Sequence, residues 1–225
     1  MADSSARPQR LPRLVGALFL IAMAAAMASN ALVLPVFTAE ELLEAAFARS
    51  GMLRIASILM IVNCIAIIGI GAGLYEVLAR RNVFIALSYL SARVIESGLL
   101  LAGIIGVLAL PGLGAQYEAA AGDDIAHLQT AAKAAINQNW YAYHVAMIWL
   151  GLGSLLLCNV LYAQRLVPRP LSVLGFFGYA TLAIVSILAI LDLDVGLIAT
   201  LPVFVFEVVL GFWLLAKGFA VPAGD

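Results

Sequence analysis

Residues 83–110 read VFIALSYLSARVIESGLLLAGIIGVLAL, an apolar run that carries an arginine and a glutamate, Arg93 and Glu96, in its middle. The run is long enough for a membrane-spanning helix, which needs about 20 apolar residues. A charge at the centre of a bilayer costs about 3 kcal/mol or more, so such residues face the interior of a helix bundle and find partners there. Because Arg93 and Glu96 are three residues apart, a helix places them on one face. The stretch predicts a bundle organised around a buried polar cluster.

The composition of the whole chain agrees with a membrane protein. Its 225 residues are 64% hydrophobic and 11% charged, and the mean hydropathy is +1.08. A soluble domain is about half apolar and a quarter charged. A net charge of -1 gives no reason to expect a nucleic-acid partner. Cys64 and Cys158 both lie inside apolar runs and form no disulfide framework or paired-cysteine metal motif, so we interpret them as packing residues.

Six apolar runs of membrane-spanning length follow one another along the chain. The expected spans are residues 14–36, 52–78, 83–110, 140–164, 171–191 and 196–218, between a terminal segment at 1–13 and a tail at 219–225. The first run has the basic flank of a secretory signal peptide, but at about 23 residues it is longer than such a core and suits an uncleaved helix. The predicted fold is an all-α bundle of six transmembrane helices in a single membrane domain, residues 14–218.

Two segments between the spans are expected to be helical as well. Thr38 and Glu41 have the spacing of a capping box, and the apolar residues after them predict a short helix lying at the membrane surface. No glycine or proline interrupts residues 124–150, so the alanine-rich segment before the fourth span is expected to extend that span as one helix. Asp123 or Asp124 is expected to cap this helix.

Prolines and polar turns are expected to end the other helices. Pro111 is expected to end the third span, and Pro168 and Pro170 are expected to break the chain before the fifth. Asp192 and Asp194 indicate a tight acidic turn before the sixth span.

Small and aromatic residues predict packing and depth. Gly69 and Gly73 form a small-xxx-small pair in the second span, which favours close approach of a neighbouring helix. Trp140, Tyr141 and Tyr143 at the start of the fourth span fit an aromatic belt at the membrane interface.

The distribution of charge predicts the orientation, since six spans put both termini on one side. The basic residues expected on that side are Arg7, Arg10, Arg13, Arg80, Arg81, Arg165, Arg169 and Lys217. The acidic residues expected on the other side are Glu40, Glu41, Glu44, Glu118, Asp123, Asp124, Asp192 and Asp194. The positive-inside rule then places both termini in the cytoplasm.

Three further polar residues lie at depths from which they can reach Arg93 and Glu96. At a rise of 1.5 Å per residue, Asn63 and Glu207 fall near the middle of their spans, and His144 falls about one turn into the fourth. We expect Asn63, His144 and Glu207 to meet Arg93 and Glu96 in one cavity.

Three interpretations of this cluster stay open. In one, Arg93 bridges Glu96 and Glu207 in an internal ion-pair network that serves only folding or partner binding. In the one that we favour, the cluster binds a small ligand or carries protons between the helices, with Arg93 as the anchor, the two glutamates as counter-ions or proton acceptors, and His144 as a titrating gate. In the third, Glu96, His144 and Glu207 hold a catalytic zinc ion. The residues identify no cofactor. The expected partners are the lipid bilayer, a small molecule or ion, and a second copy of the chain.

Three stretches resemble a bacterial membrane family catalogued as domain of unknown function 4386. They are Arg93-Val-Ile-Glu96, the run from Trp149 to Arg165 with Val167-Pro-Arg169 after it, and the closing Glu207-Val-Val-Leu-Gly-Phe-Trp-Leu-Leu-Ala-Lys-Gly218. The resemblance covers most of the chain from the first span to Gly218. It implies a multi-pass bacterial membrane protein, draws attention to Arg93, Glu96 and Glu207, and implies no reaction.

Overall fold

A computed structural model describes residues 10–193 and 196–220 of the chain, and this part is all-α. The helices are α1 (Arg10–Phe37), α2 (Leu42–Ala48), α3 (Ser50–Ala79), α4 (Val83–Tyr117), α5 (Asp123–Ala163), α6 (Arg169–Ile190) and α7 (Leu201–Ala216), with a 3₁₀ helix at Leu197–Thr200 directly before α7.

Six helices are long and apolar enough to cross a membrane, namely α1, α3, α4, α5, α6 and the segment Ile198–Ala216 that ends with α7. Large apolar side chains stand exposed along them, with Phe84 76%, Ile105 66% and Phe177 64% accessible. Contiguous apolar surface of this kind is unfavourable in water and is the normal outer surface of a bundle in lipid. The chain is therefore a multi-pass membrane protein, and the predicted all-α fold with six spans is confirmed.

Helix α4 does not end at Pro111 as the sequence suggested, but continues to Tyr117. Proline removes one backbone hydrogen bond from a helix, and neighbouring elements make this tolerable in membrane helices. Neighbouring helices pack closely on α4 on both sides of Pro111. Gly106 lies so close to α5 that an added Cβ would be 2.9 Å from the Ala135 carbonyl oxygen, and one at Gly114 would be 2.5 Å from that of Leu43.

Helix α2 forms where a short helix was expected, but the predicted capping box is wrong. The Thr38 hydroxyl donates back to the Leu34 carbonyl over 2.9 Å, and the Thr38 N–H bonds the same oxygen over 3.0 Å. Thr38 therefore finishes α1 and is not available to α2. Glu41 is the N-cap residue of α2 and makes no side-chain capping hydrogen bond. The helix is held by packing, since Leu43 and Ala46 are buried.

The start of α5 differs from the prediction in one detail. The helix runs unbroken for 41 residues, as expected, but Asp123 and Asp124 lie in its first turn instead of at the cap. Gly122, in the left-handed region at φ 62°, precedes them. Acidic side chains in a first turn still stabilise the helix because they lie near the positive end of its dipole.

The chain breaks between α5 and α6 as the prolines predicted, with Pro168 as the N-cap residue of α6 and Pro170 in its first turn. The sixth span starts with the 3₁₀ helix before it becomes α-helical. Asp192 turns the chain in the left-handed region at φ 59°. Three ranges lie outside the described residues, namely 1–9 with Arg7, 194–195 with Asp194, and 221–225.

The chain divides into two compact units. The first comprises the described residues of Met1–Ala22, Ile65–Ser97 and His144–Asp225. In it α6 packs on α7, and α3 packs on α1 through the small-xxx-small pair. A Cβ added at Gly69 would be 2.9 Å from Leu18, and a Cβ added at Gly73 would be 2.6 Å from Val15. The predicted close approach at these glycines is confirmed.

The second unit comprises Met23–Cys64 and Gly98–Tyr143. Its core brings together five helices, with Val33, Val36, Leu43, Ala46, Leu53, Ala56, Ile104, Val107, Leu110 and Ala132 buried in one cluster. The Ser29 hydroxyl donates to the Ala56 carbonyl over 2.8 Å, so α1 and α3 are also joined by a hydrogen bond inside this core.

Candidate functional site

Helix α4 carries a polar stripe into the core of the first unit. Tyr89, Arg93 and Glu96 are spaced four and three residues apart, which places them on one helix face. They are 0%, 3% and 2% exposed. Arg93 Nη1 donates to Glu96 Oε2 over 2.8 Å, so the pair expected from the sequence is formed. An ion pair buried this completely must gain enough from its geometry to offset the desolvation of both charges.

The Arg93 guanidinium lies between two aromatic rings. Its Cζ is 5.9 Å from the ring centroid of Phe19 on α1 and 5.9 Å from that of Tyr89 on its own helix. A cation at this distance from a ring face is attracted by the ring quadrupole, more strongly where water is absent. Gly71 on α3 makes the room, because an added Cβ there would be 3.1 Å from Arg93 Cβ.

A second polar pair joins α6 to α7. Tyr179 Oη donates to Glu207 Oε1 over 2.7 Å. Tyr179 is fully buried, and its ring packs edge-on against Phe206 at a centroid distance of 5.5 Å. Glu207, in contrast, keeps part of its surface accessible. The Glu207 carboxylate is thus held by the buried Tyr179 hydroxyl, while Glu207 lies at the edge of the buried region.

The two pairs form one electrostatic system, the polar network of Tyr89, Arg93, Glu96, Tyr179 and Glu207. The Glu207 charge acts on Arg93, Glu96 and both tyrosines, and the Arg93 charge acts on Glu207 in return. The network holds one guanidinium and two carboxyl groups. With both carboxyls ionised it carries one negative charge in excess, and one bound proton makes it neutral.

Several buried donors of this region are not satisfied by the protein. Tyr89 Oη, Arg93 Nε, Ser154 Oγ and Ser172 Oγ have no hydrogen-bond partner among residues 10–193 and 196–220. Leaving a buried polar group unpaired costs about 1–3 kcal/mol. Such groups are rare in folded proteins and mark places where a ligand, water or a function accounts for the cost.

A cavity of about 280 Å³ between α5 and α6 lies beside the network. Cys158 and Ser172 line it together with Phe176. Cys158 is within electrostatic reach of Glu207. Cys158 thus connects this cavity, which the unsatisfied Ser172 hydroxyl also lines, with the electrostatic surroundings of Glu207.

The sequence-predicted residues divide between the units. Arg93, Glu96 and Glu207 belong to the network. His144 is half-buried at the start of the α5 segment of the first unit, seven residues and hence about 10.5 Å before Gly151 on the same helix face. Gly151 itself touches the backbone of Tyr179. Asn63 lies in the second unit, where its amide donates to Met60 Sδ over 3.4 Å.

The zinc interpretation gains no support from the described residues. Within them, no three histidine, cysteine, aspartate or glutamate side chains come together in a way that could hold a metal ion. Glu96, His144 and Glu207 therefore do not form such a group. The two cysteines are both buried and free of disulfides.

Two residues of the network were missed from the sequence, Tyr89 and Tyr179. Tyr89 lies one helical turn before Arg93, and that spacing alone could have identified it. Tyr179 stands in the fifth span among apolar residues, with no charged residue near it along the chain. Only the packing of α6 on α7 brings it to Glu207.

The comparisons with known proteins identify a family. A family model described as "Domain of unknown function (DUF4386)" matches residues 14–218. The searches of curated proteins and of solved structures found no match.

Proposed function

The chain belongs to the family described as "Domain of unknown function (DUF4386)", and we propose that in this membrane protein the polar network is a proton-carrying site. The single observation that carries the proposal is the charge imbalance of the network, one guanidinium against two carboxyl groups in an apolar surrounding. An excess charge is costly in a medium of low dielectric, so binding one proton is the simplest way to remove it.

The residues take different parts in this proposal. Arg93 is the anchor, because its cation is held by Glu96, Phe19 and Tyr89 and stabilises whichever carboxylate is ionised. Glu96 and Glu207 share the proton. Glu207 exchanges it with the surroundings, since it is the partly accessible member and lies within electrostatic reach of Cys158 in the α5–α6 cavity.

His144 extends the site along α5. It lies about 10 Å along the helix from Gly151, whose close approach to the Tyr179 backbone packs α5 against α6, and in this proposal it is the gate through which protons enter. Imidazole changes its charge between about pH 5 and 8 and is therefore suited to pass protons on. Asn63 stays a prediction from the sequence and has no part here.

One observation favours the alternative, an internal ion-pair network that serves folding alone. The two hydrogen bonds of the network are internal, and Tyr89, Arg93, Glu96 and Tyr179 are at most 3% exposed. Both interpretations require the carboxyl groups. They differ in the effect expected when one carboxyl is replaced by its neutral isostere, which is loss of proton flux in the first case and loss of stability in the second.

The test is proton flux into proteoliposomes that contain a pH-sensitive dye, driven by a potassium diffusion potential. Glu207→Gln and Glu96→Gln are compared with Glu76→Gln, an exposed carboxylate on α3 of the same unit. We expect flux in the unchanged protein and in Glu76→Gln. We expect at least a tenfold loss of flux in the two network variants. The thermal unfolding midpoint should stay close to that of the unchanged protein in Glu207→Gln, which leaves the Arg93–Glu96 pair intact, and should fall in Glu96→Gln, which breaks that pair.

Flux that survives in both network variants would refute the proposal. A lowered unfolding midpoint in both variants, together with no flux in the unchanged protein, would establish the folding role instead. Mass spectrometry of the purified protein completes the design. A co-purified small molecule that is lost in Glu207→Gln would show that the network binds a ligand.

The location belongs to the same proposal. The basic residues of the α3–α4 and α5–α6 connections and of the α7 end, together with Arg10 and Arg13, support an orientation with both termini in the cytoplasm. The bacterial inner membrane is proposed from the family resemblance.

A further inference from the structure

A second cavity, of about 560 Å³, lies at the end of the first unit where α5 leads into α6 and where α7 ends. Its charged lining residues are Arg165, Arg169 and Lys217, and no acidic residue among positions 10–193 and 196–220 lines it. This volume is within the range of about 300–1,000 Å³ that is typical of small-molecule sites. The cavity is separate from the polar network.

The three cations of this cavity are not neutralised by any carboxylate in the described part of the chain. None of them forms an ion pair with any residue that the structure describes. Two are instead oriented by aromatic rings. Arg169 Cζ lies 5.1 Å from the ring centroid of Tyr162, and Lys217 Nζ lies 4.5 Å from that of Trp213. A ring positions a cation but leaves its N–H donors free for an anion.

The backbone is bent to build this cavity. Arg165 adopts the left-handed conformation at φ 54°, where glycine is the favoured residue after a helix. The Leu166 N–H then bonds the Leu161 carbonyl over 3.1 Å and ends α5. On the other side Gly218, at φ 70°, turns the chain after α7, and the Ala220 N–H reaches the Leu166 carbonyl over 2.9 Å. The two segments thereby hold the cations around one space.

We propose that this cavity binds the phosphate group of an anionic phospholipid headgroup. Three unpaired cations around one cavity match the charge and donor requirement of a phosphate. The source is a lipid because the cavity is formed by the ends of membrane-spanning helices, and basic pockets between such ends bind anionic headgroups. Tyr162 and Trp213 lie in the last turns of α5 and α7, where interfacial aromatic residues are enriched.

The experiment is native mass spectrometry of the full chain in mild detergent with added phosphatidylglycerol, and with phosphatidylcholine as the neutral lipid. The test variant is a triple substitution that combines Arg165→Gln, Arg169→Gln and Lys217→Gln. The matched control is Arg10→Gln with Arg13→Gln and Arg80→Gln, which removes the same charge from three residues that do not line the cavity. Circular dichroism verifies that both variants keep their helices.

We expect the unchanged protein and the control to retain phosphatidylglycerol, and the test variant to bind it about a hundredfold more weakly, at roughly fivefold for each cation. Lys217→Arg should retain binding. Equal weakening in the test variant and the control would overturn the proposal, because it would assign the lipid to general surface charge. Binding of phosphatidylcholine as tight as that of phosphatidylglycerol would also overturn it. A calorimetric titration with inorganic phosphate separates the sources, since tight phosphate binding without retained lipid would assign the cavity to a soluble phosphate compound and overturn the lipid proposal.

Discussion

Tyr179 donates a hydrogen bond from Oη to Glu207 Oε1 over 2.7 Å and so joins α6 to α7 inside the first unit. The tyrosine is fully buried, so its hydroxyl has no access to water if this bond is lost. The carboxylate in turn lies in the field of Arg93. This one contact therefore links helix packing, the charge balance of the network and the proposed proton site.

Removal of the Tyr179 hydroxyl is expected to destabilise the protein. Tyr179→Phe keeps the ring contact with Phe206 but leaves the Glu207 acceptor unpaired, which costs about 1–3 kcal/mol. Tyr89→Phe is the matched control, because the Tyr89 hydroxyl is equally buried but has no partner in the described part of the chain. We expect a lower thermal unfolding midpoint for Tyr179→Phe and an equal or higher one for Tyr89→Phe. Similar losses in both variants would show that the hydroxyl contact is not the cause.

Breaking the α4 ion pair should destabilise the protein more than replacing both of its residues. Arg93→Met leaves two carboxyl groups without their cation, and a broken buried pair costs about 3–5 kcal/mol. Adding Glu96→Leu removes one of these carboxyls and should recover most of the loss. The comparison uses expression yield and unfolding midpoint, with Arg80→Met as a control at an exposed position. A double variant that is no better than Arg93→Met would mean that packing, and not charge, dominates here.

The size of residue 71 should control the position of Arg93. An added Cβ at Gly71 lies 3.1 Å from both Arg93 Cβ and Leu90 Cδ1, so Gly71→Leu must displace them at a cost of about 1–3 kcal/mol. Gly98 on α4 is exposed and would meet no atom within 4 Å, and Gly98→Leu should be neutral or slightly stabilising. Unfolding midpoints measure both changes. Proton flux should fall only in Gly71→Leu.

The conformation of Arg165 predicts opposite effects on stability and binding. A left-handed non-glycine residue costs about 1 kcal/mol, so Arg165→Gly should raise the thermal unfolding midpoint. The same change removes a cation from the basic cavity and should weaken phosphatidylglycerol binding about fivefold in native mass spectrometry. Arg165→Asn, which also tolerates the left-handed conformation, serves as the second variant. Unchanged lipid binding in both would remove Arg165 from the site.

The orientation can be determined by labelling with a membrane-impermeant thiol reagent. Cys64 and Cys158 are each 1% exposed and should not react, so they provide the background. We expect Ala119→Cys, in the exposed turn between α4 and α5, to be labelled in intact cells. Ala220→Cys, after α7, should be labelled only after the cells are permeabilised. The reverse pattern would invert the proposed topology.

Local features of the sequence were sufficient for most of the fold. Apolar runs of spanning length predicted six helices, because a chain in lipid must satisfy its backbone hydrogen bonds within each segment. The exception at Pro111 arose because proline was judged by its effect on an isolated helix. In the folded protein, α4 packs closely against α5 at Gly106 and against α2 at Gly114, on either side of the proline.

The contacts of the network could be predicted only where its members share a helix, although Glu207 was named from its charge and depth alone. Arg93 and Glu96 pair because three residues of α-helix bring them together, and this holds in any fold that contains α4. His144 and Asn63 were placed by depth alone, which says nothing about the direction in which a side chain points. Asn63 in fact bonds a methionine on its own helix, one turn away.

The sequence by itself determined that this protein is helical, crosses a membrane and carries an ion pair inside it. These properties depend on hydropathy and on contacts within one or two helical turns. The tertiary structure alone decided that Tyr179 meets Glu207 and that Arg165, Arg169 and Lys217 surround one cavity. Such meetings depend on the rotation and depth of one helix against another, which are set by close approaches such as Gly175 against Phe206. No pattern along a single helix encodes them, because each requires two surfaces to fit.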